Sequence, residues 1–264
     1  ENLLSAVDMP YQSGDHIKHY QAPPKPSEKV LQTFCGTWTS FPELDRLSPD
    51  NSVFIIMFIG IAGIIGAGKS TMSEKLAEKL TFKAYKEPVD DNPYLQDFYK
   101  DMKQWGAMMQ IHLLFRRFEQ HQQIVWNMEK GAVQDRTIYE DTIFARMLHE
   151  AGYIDERDYE TYLGHFNIMK RFLVYPDILI YLRVSPEVSM QRIQERGRDA
   201  ESGIELAYME KLHQGYESFI EEMKDYTRVL TLDWNQYQEM DEVVNLISEK
   251  AGEKRRFLRD LGKQ

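Results

Sequence analysis

The sequence predicts an α/β fold in which a parallel five-stranded sheet is flanked by helices, and three observations carry that expectation. From Val53 onward, short apolar, β-branched runs alternate with longer stretches of helical period, the order of a parallel sheet covered on both faces. The first run, Phe54-Ile-Ile-Met-Phe-Ile-Gly-Ile61, leads directly into Gly63-Ile-Ile-Gly66-Ala67-Gly68-Lys69-Ser70, a G-x-x-x-x-G-K-S motif. A helical pattern, Met72-Ser-Glu-Lys-Leu-Ala-Glu-Lys-Leu80, follows at once, so the motif lies between a strand and a helix.

The elements follow in order. Strand 54–61 is followed by helix 69–80, strand 82–86 by helices 92–101 and 106–129, and strand 131–135 by helices 139–151 and 155–173. Strand 177–183 is followed by helix 186–195, where Ser185 is the expected N-cap and Pro186 occupies the first helical position. Helix 204–224, strand 228–232 and helix 239–250 complete one domain over 53–264. Residues 1–52 read as a separate arm. Gln21-Ala-Pro-Pro-Lys-Pro-Ser-Glu28 is a Pro-rich linker, and Tyr11, Tyr20, Phe34, Trp38 and Phe41 surround it with no clear period. A docked arm and a disordered tail both fit that composition.

Composition excludes some classes. Forty-two acidic residues against 32 basic ones give a net charge of −10, which argues against nucleic acid as the main partner. The uncharged run 53–68 invites comparison with a membrane span, but it is shorter than the roughly 18 residues needed and four glycines interrupt it. Cys35 is the sole cysteine, so a reducing, cytoplasmic setting is expected, and no signal peptide is visible.

The glycine motif implies a nucleoside triphosphate site. Glycines let successive backbone N–H groups converge on phosphate oxygens, and the helix N-terminus adds its positive end. Lys69 is placed to reach the phosphates and the Ser70 hydroxyl to sit on Mg²⁺. Glu87, in Lys86-Glu87-Pro88-Val89, ends the second strand on the same edge; a general base belongs there, and so does an ordinary surface glutamate. The third strand ends Asp135-Arg136-Thr137, where an acid can orient Mg²⁺ and an arginine can hold a phosphate or a carboxylate; a solvent-facing pair is the alternative. On helix 106–129, Gln110 and Arg117 share one face two turns apart, and an Arg117 that snorkels to water is the bland alternative. Arg192, Arg196 and Arg198 put three guanidinium groups within seven residues, an arrangement that suits a lid over a triphosphate as well as a solvated helix end.

In this order and spacing, the phosphate loop, Glu-Pro-Val, Asp-Arg-Thr and Arg-x-x-x-Arg-Gly-Arg resemble the deoxynucleoside kinase family over roughly residues 54–233. Asn92-Pro93-Tyr94 after Glu-Pro-Val is most similar to its deoxyadenosine/deoxyguanosine kinase branch. The resemblance implies a P-loop kinase fold with an Arg-rich lid. It also implies ATP- and Mg²⁺-dependent phosphorylation of a deoxynucleoside 5′-hydroxyl in nucleotide salvage. By the same resemblance, Gly63, Gly66, Ala67, Gly68, Lys69, Ser70 and Thr71 hold the ATP phosphates with Arg192, Arg196 and Arg198, and Lys69, Arg192 and Arg196 also serve catalysis. Glu87 matches the base, with Arg136 beside it, and Ser70 and Asp135 the Mg²⁺ site. Tyr99 and Glu201 match the groups on the sugar 3′-hydroxyl, Gln110 the reader of the base edge, with Met109 next to it. Arg117 and Asp141 match a pair near the base, and Phe144 a stacking ring.

These groups favour a purine. A glutamine amide offers one donor and one acceptor to adenine or guanine, and an arginine donates to N7 or O6, which thymine lacks. Deoxyadenosine leads; deoxycytidine is harder to exclude, because its N3/N4 edge imitates adenine. Many members carry Glu and Asn where this chain has Ala62 and Ile64, a change that leaves Lys69, Ser70 and the converging N–H groups in place. Family members are generally homodimers through a helical face, for which 106–129 and 139–173 are the candidates, and the aromatic arm is placed to extend a dimer to a tetramer. A nucleoside monophosphate kinase would need added basic residues near Glu87. A silent kinase-like subunit would have lost the lysine, base or lid.

Overall fold

The computed structural model of the chain describes residues 57–87, 92–128, 131–198, 201 and 203–261, with side chains to residue 250. The arm 1–52, the start of the first expected strand, Pro88 and Val89 lie outside the described residues. Five strands form one sheet in the order β2-β3-β1-β4-β5: β1 Phe58–Ala62, β2 Lys83–Tyr85, β3 Ala132–Asp135, β4 Ile178–Arg183 and β5 Arg228–Asp233. Every pairing is parallel. β1 is central and buried along its whole length, as its unbroken apolar sequence requires of a strand covered on both faces.

The helices are α1 Lys69–Leu80, α2 Leu95–Lys100, α3 Met102–Asn127, α4 Asp141–Glu150, α5 Glu156–Lys170, α6 Pro186–Arg196, α7 Leu206–Met223 and α8 Met240–Leu261. In α1, Met72, Leu76 and Ala77 fall on one face and are buried against the sheet. The expected helix 92–101 is shorter, and α3 begins four residues before its expected start. Asp101 explains both differences: its side chain accepts from Gln104 N at 3.0 Å, so it ends one helix and caps the next. A 3-10 turn, Ile138–Glu140, precedes α4, and Thr137 and Glu140 cap it reciprocally. Ser185 caps α6 as expected, accepting from Val188 N at 3.3 Å with Pro186 in the first turn. α8 continues past residue 250 to Leu261.

This topology delivers chemistry to one edge. In parallel strands all carboxyl ends point the same way. The phosphate loop leaves β1 after Ala62, Glu87 follows β2, and Asp135 ends β3 in register with Ile61. Ile59, Ile61, Ile178, Leu179, Ile180 and Leu182 are buried completely beneath them, so the strand ends are fixed by the main core.

Candidate active site

A cleft of about 690 Å³ opens at that edge. Its floor is the phosphate loop, whose conformation depends on glycine at two positions. Gly66 and Gly68 hold φ of 79° and 91°, in the left-handed region. Gly66 also lies tight under α6: a Cβ there would come within 2.7 Å of the Ser189 carbonyl oxygen. Ser189 itself donates to the Ile65 carbonyl, fastening α6 to the loop. Lys69 Nζ donates to Ile64 O at 2.9 Å, and burial, with Arg136 nearby, brings its pKa down to about 8. Ser70 Oγ donates to Asp135 Oδ2 at 2.5 Å, while Asp135 Oδ1 is buried without a protein partner. Burial, and then Glu87, raise the Asp135 carboxyl above its ordinary value.

Beside the loop, Glu87 is held by two arginines. Its Oε1 accepts from Arg117 Nη2 at 2.6 Å and lies 2.7 Å from Arg136 Nε. Burial pushes this carboxyl up, but Arg136 and then Arg117 and Lys69 outweigh it and hold the pKa at about 2. Glu87 is therefore an ionised, paired carboxylate and not a surface glutamate. Arg117, only 2% exposed, does not snorkel; its other terminal nitrogen donates to Asp141. Asp135 and Arg136 are likewise both buried, so the solvent-facing alternative for that pair fails. Arg136 lies against the Phe144 ring, 4.8 Å from its centroid.

Gln110 and Met109 line the same cleft and are buried, and the Gln110 amide oxygen has no protein partner. Tyr99 and Glu201 meet on another wall. Burial and then the Glu201 charge raise the Tyr99 hydroxyl pKa, so it stays protonated as a donor. Glu201 is also paired with Arg196 and lies 3.7 Å from Arg198 Nη1. Arg192 donates to the carbonyls of Trp234 at 2.8 Å and Asn235 at 3.1 Å and packs over the Tyr237 ring, tying α6 to the segment after β5.

Most of the residues named from the sequence line this one cleft: Gly66, Gly68, Lys69, Ser70, Thr71, Glu87, Tyr99, Met109, Gln110, Arg117, Asp135, Arg136, Phe144, Arg192, Arg196, Arg198 and Glu201. Gly63, Ala67 and Asp141 do not line it; Ala67 is buried under the loop, and Asp141 lies behind Arg117. Leu95, Phe98, Leu113 and Tyr208 line the cleft and were not anticipated, since apolar or aromatic residues on a helix face look like ordinary core; Tyr237, between β5 and α8, lines it too. Glu140 and Tyr216 were also missed, although Thr137-x-x-Glu140 is a legible capping signal.

Residues 59–253 match the family described as Deoxynucleoside kinase. The chain belongs to the deoxynucleoside kinase family. It is 43% identical over 203 residues to a deoxyadenosine kinase of Dictyostelium discoideum, covering 77% of this chain and 82% of that one. A deoxyadenosine/deoxycytidine kinase of Bacillus subtilis is 42% identical over 175 residues, covering 65% of this chain and 78% of the relative. Among solved structures, a deoxyadenosine kinase from M. mycoides with bound dATP aligns with a TM-score of 0.66 at 36% identity, over 73% of this chain and 99% of that one. As a deoxynucleoside kinase, the chain carries its glycine loop, paired glutamate and the arginines of α6 on the parallel five-stranded P-loop kinase fold that the sequence predicted.

The geometry of the loop gives a direct test. Gly66→Ala combines a left-handed backbone with a clash on Ser189, and strain of roughly 1–3 kcal/mol should weaken ATP binding by about 5- to 150-fold. Isothermal titration with ATP measures it; an unchanged affinity would show that the loop does not use this conformation to bind.

Proposed function

We propose that this deoxynucleoside kinase transfers the γ-phosphoryl group of ATP to the 5′-hydroxyl of a purine deoxynucleoside, with deoxyadenosine preferred, in cytoplasmic nucleotide salvage. The observation that carries this is the single cleft joining the phosphate loop, a glutamate held ionised by two arginines, and the buried amide of Gln110.

Glu87 accepts the 5′-hydroxyl proton. A carboxylate at about 2 is a weak base, but phosphoryl transfer passes through a loose transition state in which the hydroxyl proton leaves late. An acceptor that is always ionised and correctly placed therefore serves. Arg136 keeps Glu87 charged and stands near the transferring group. Lys69 and the loop N–H groups hold the phosphates, and Arg192, Arg196 and Arg198 close over them, contributing charge stabilisation. Mg²⁺ fits here: a buried carboxylate oxygen without a partner beside a hydroxyl is the sparse protein ligand set that this ion takes with phosphates and water. When bound, it neutralises phosphate charge.

Gln110 reads the base edge, Arg117 with Asp141 faces purine N7 or O6, and Phe144 lies along the base. Tyr99 and Glu201 take the 3′-hydroxyl. Relatives named for deoxyadenosine, deoxycytidine and deoxyguanosine support a deoxynucleoside acceptor, and deoxyguanosine or deoxycytidine comes next in our reading.

Residues 53–264 make up the kinase domain, and it works as a homodimer. Met108 and Phe115 on α3, with Ile168 on α5 and Phe172 just beyond it, are exposed large apolar residues, Phe172 to 66%. The arm 1–52 is the candidate for joining dimers into tetramers. Among the described residues, no helix is long and apolar enough to cross a membrane.

Initial rates of phosphate transfer from Mg·ATP to deoxyadenosine, deoxyguanosine, deoxycytidine and thymidine test the substrate. Deoxyadenosine is expected to lead in kcat/KM; thymidine leading would overturn the base-recognition assignment. Glu87→Gln should lower turnover by about 10²–10⁴ while ATP still binds. Parent-level turnover would remove Glu87 from the mechanism.

A further inference from the structure

Behind Arg136 lies a polar pair that the reaction as described leaves unused. Tyr216 on α7 and Glu140 in the 3-10 turn are both fully buried. Arg136 Nη1 donates to the Tyr216 hydroxyl, and that hydroxyl donates to Glu140 Oε2 at 2.8 Å. The other carboxylate oxygen, Oε1, accepts from Thr137 N at 2.7 Å and from Thr137 Oγ1 at 3.2 Å. The single Tyr216 proton is thus committed to Glu140, which leaves its lone pairs for Arg136. A capping glutamate has no need of full burial. Burying one is costly unless its charge is used.

Arg136 sits between two carboxylates. Its Nε lies 2.7 Å from Glu87 Oε1, and its Nη1 lies 4.0 Å from Glu140 Oε2, a gap too long for a hydrogen bond and filled by the Tyr216 hydroxyl. Its backbone has φ of 62°, unusual for a residue other than glycine, and such a conformation persists only where the surroundings hold it. We propose that Tyr216 and Glu140 are positioning residues: the hydroxyl is a spacer that keeps Arg136 from closing onto Glu140, and so keeps its Nε against Glu87. This rests on Glu87 and Arg136 acting at the acceptor hydroxyl. The spacer works as a strut under compression. Glu140 draws the guanidinium back, Glu87 draws it forward, and the hydroxyl sets where it stops.

Tyr216→Phe removes the spacer and keeps the ring, which packs parallel to Tyr181 and edge-on to Phe219. Arg136 should then close onto Glu140, lowering kcat by about 10- to 100-fold with KM for ATP and deoxynucleoside within about threefold. Adding Glu140→Gln removes the charge that draws Arg136 away, while the amide oxygen still accepts from Thr137. The double variant should therefore be about fivefold faster than Tyr216→Phe alone or better, the reverse of what two independent packing defects give. ATP titration reports whether each variant is folded. Should Tyr216→Phe alone not fold, Glu140→Gln is compared with the double variant, and equal kcat is expected, because without the Glu140 charge the spacer has nothing to resist. Parent-level kcat in Tyr216→Phe, a double variant no faster than that single one, or unequal kcat in the second comparison would each overturn the proposal. Glu87→Gln run alongside separates the causes: turnover lost there but kept in Tyr216→Phe rejects the strut alone, and turnover kept in both rejects the assignment of Glu87 as well.

Discussion

One carboxylate oxygen, Glu87 Oε1, stands between two buried guanidinium groups, and the site is organised around that contact. Burial alone would neutralise Glu87, and burial alone would make either arginine prohibitively costly. Together they hold one another ionised. Among the described residues, the cluster gathers three cations, Lys69, Arg117 and Arg136, and four carboxylates, Glu87, Asp135, Glu140 and Asp141. Asp135 is the carboxylate with an unpartnered oxygen at the phosphate loop, where a divalent cation with its phosphates would be welcome.

The fold exists, for this purpose, to deliver those charges to one spot. Parallel strands bring the ends of β1, β2 and β3 to a common edge, and register sets Asp135 level with Ile61 just before the loop. α3 supplies Arg117 and Gln110 from one face, and α7 supplies Tyr216. The apolar core beneath lets none of these strand ends drift.

Much of this was legible in the sequence, and the reason differs by element. β1 and its loop were plain, because an uncharged β-branched run before G-x-x-x-x-G-K-S has few other readings. The boundary near residue 101 was not. An aspartate within an amphipathic stretch reads as a surface residue, and only its bond to Gln104 N reveals a cap. That most of the named residues gather in one cleft was readable from the order of the motifs and the family they resemble, whereas the pairing of Arg117 with Glu87 spans 30 residues and depends on how α3 lies against the strand ends. Tyr216 illustrates the limit: it lies 76 residues from Glu140, on a helix whose period says only that it is buried.

The most direct measurement is the pH dependence of kcat/KM for the deoxynucleoside, at saturating Mg·ATP, in the parent and in Arg117→Gln. Glu87 is pushed up by burial and held down by Arg136 and Arg117 at about 2, so in the parent its charge is fully present at neutral pH. The parent should show no acidic limb from Glu87 between about pH 8 and pH 5. Taking away one cation leaves burial less opposed and raises the Glu87 pKa, so its acidic limb moves toward that window; Asp141, pushed up to about 7 by burial, titrates there too, and comparing the two proteins in an Asp141→Asn background removes its contribution. Superimposable profiles would contradict the claim that the two arginines hold Glu87 in its charged form.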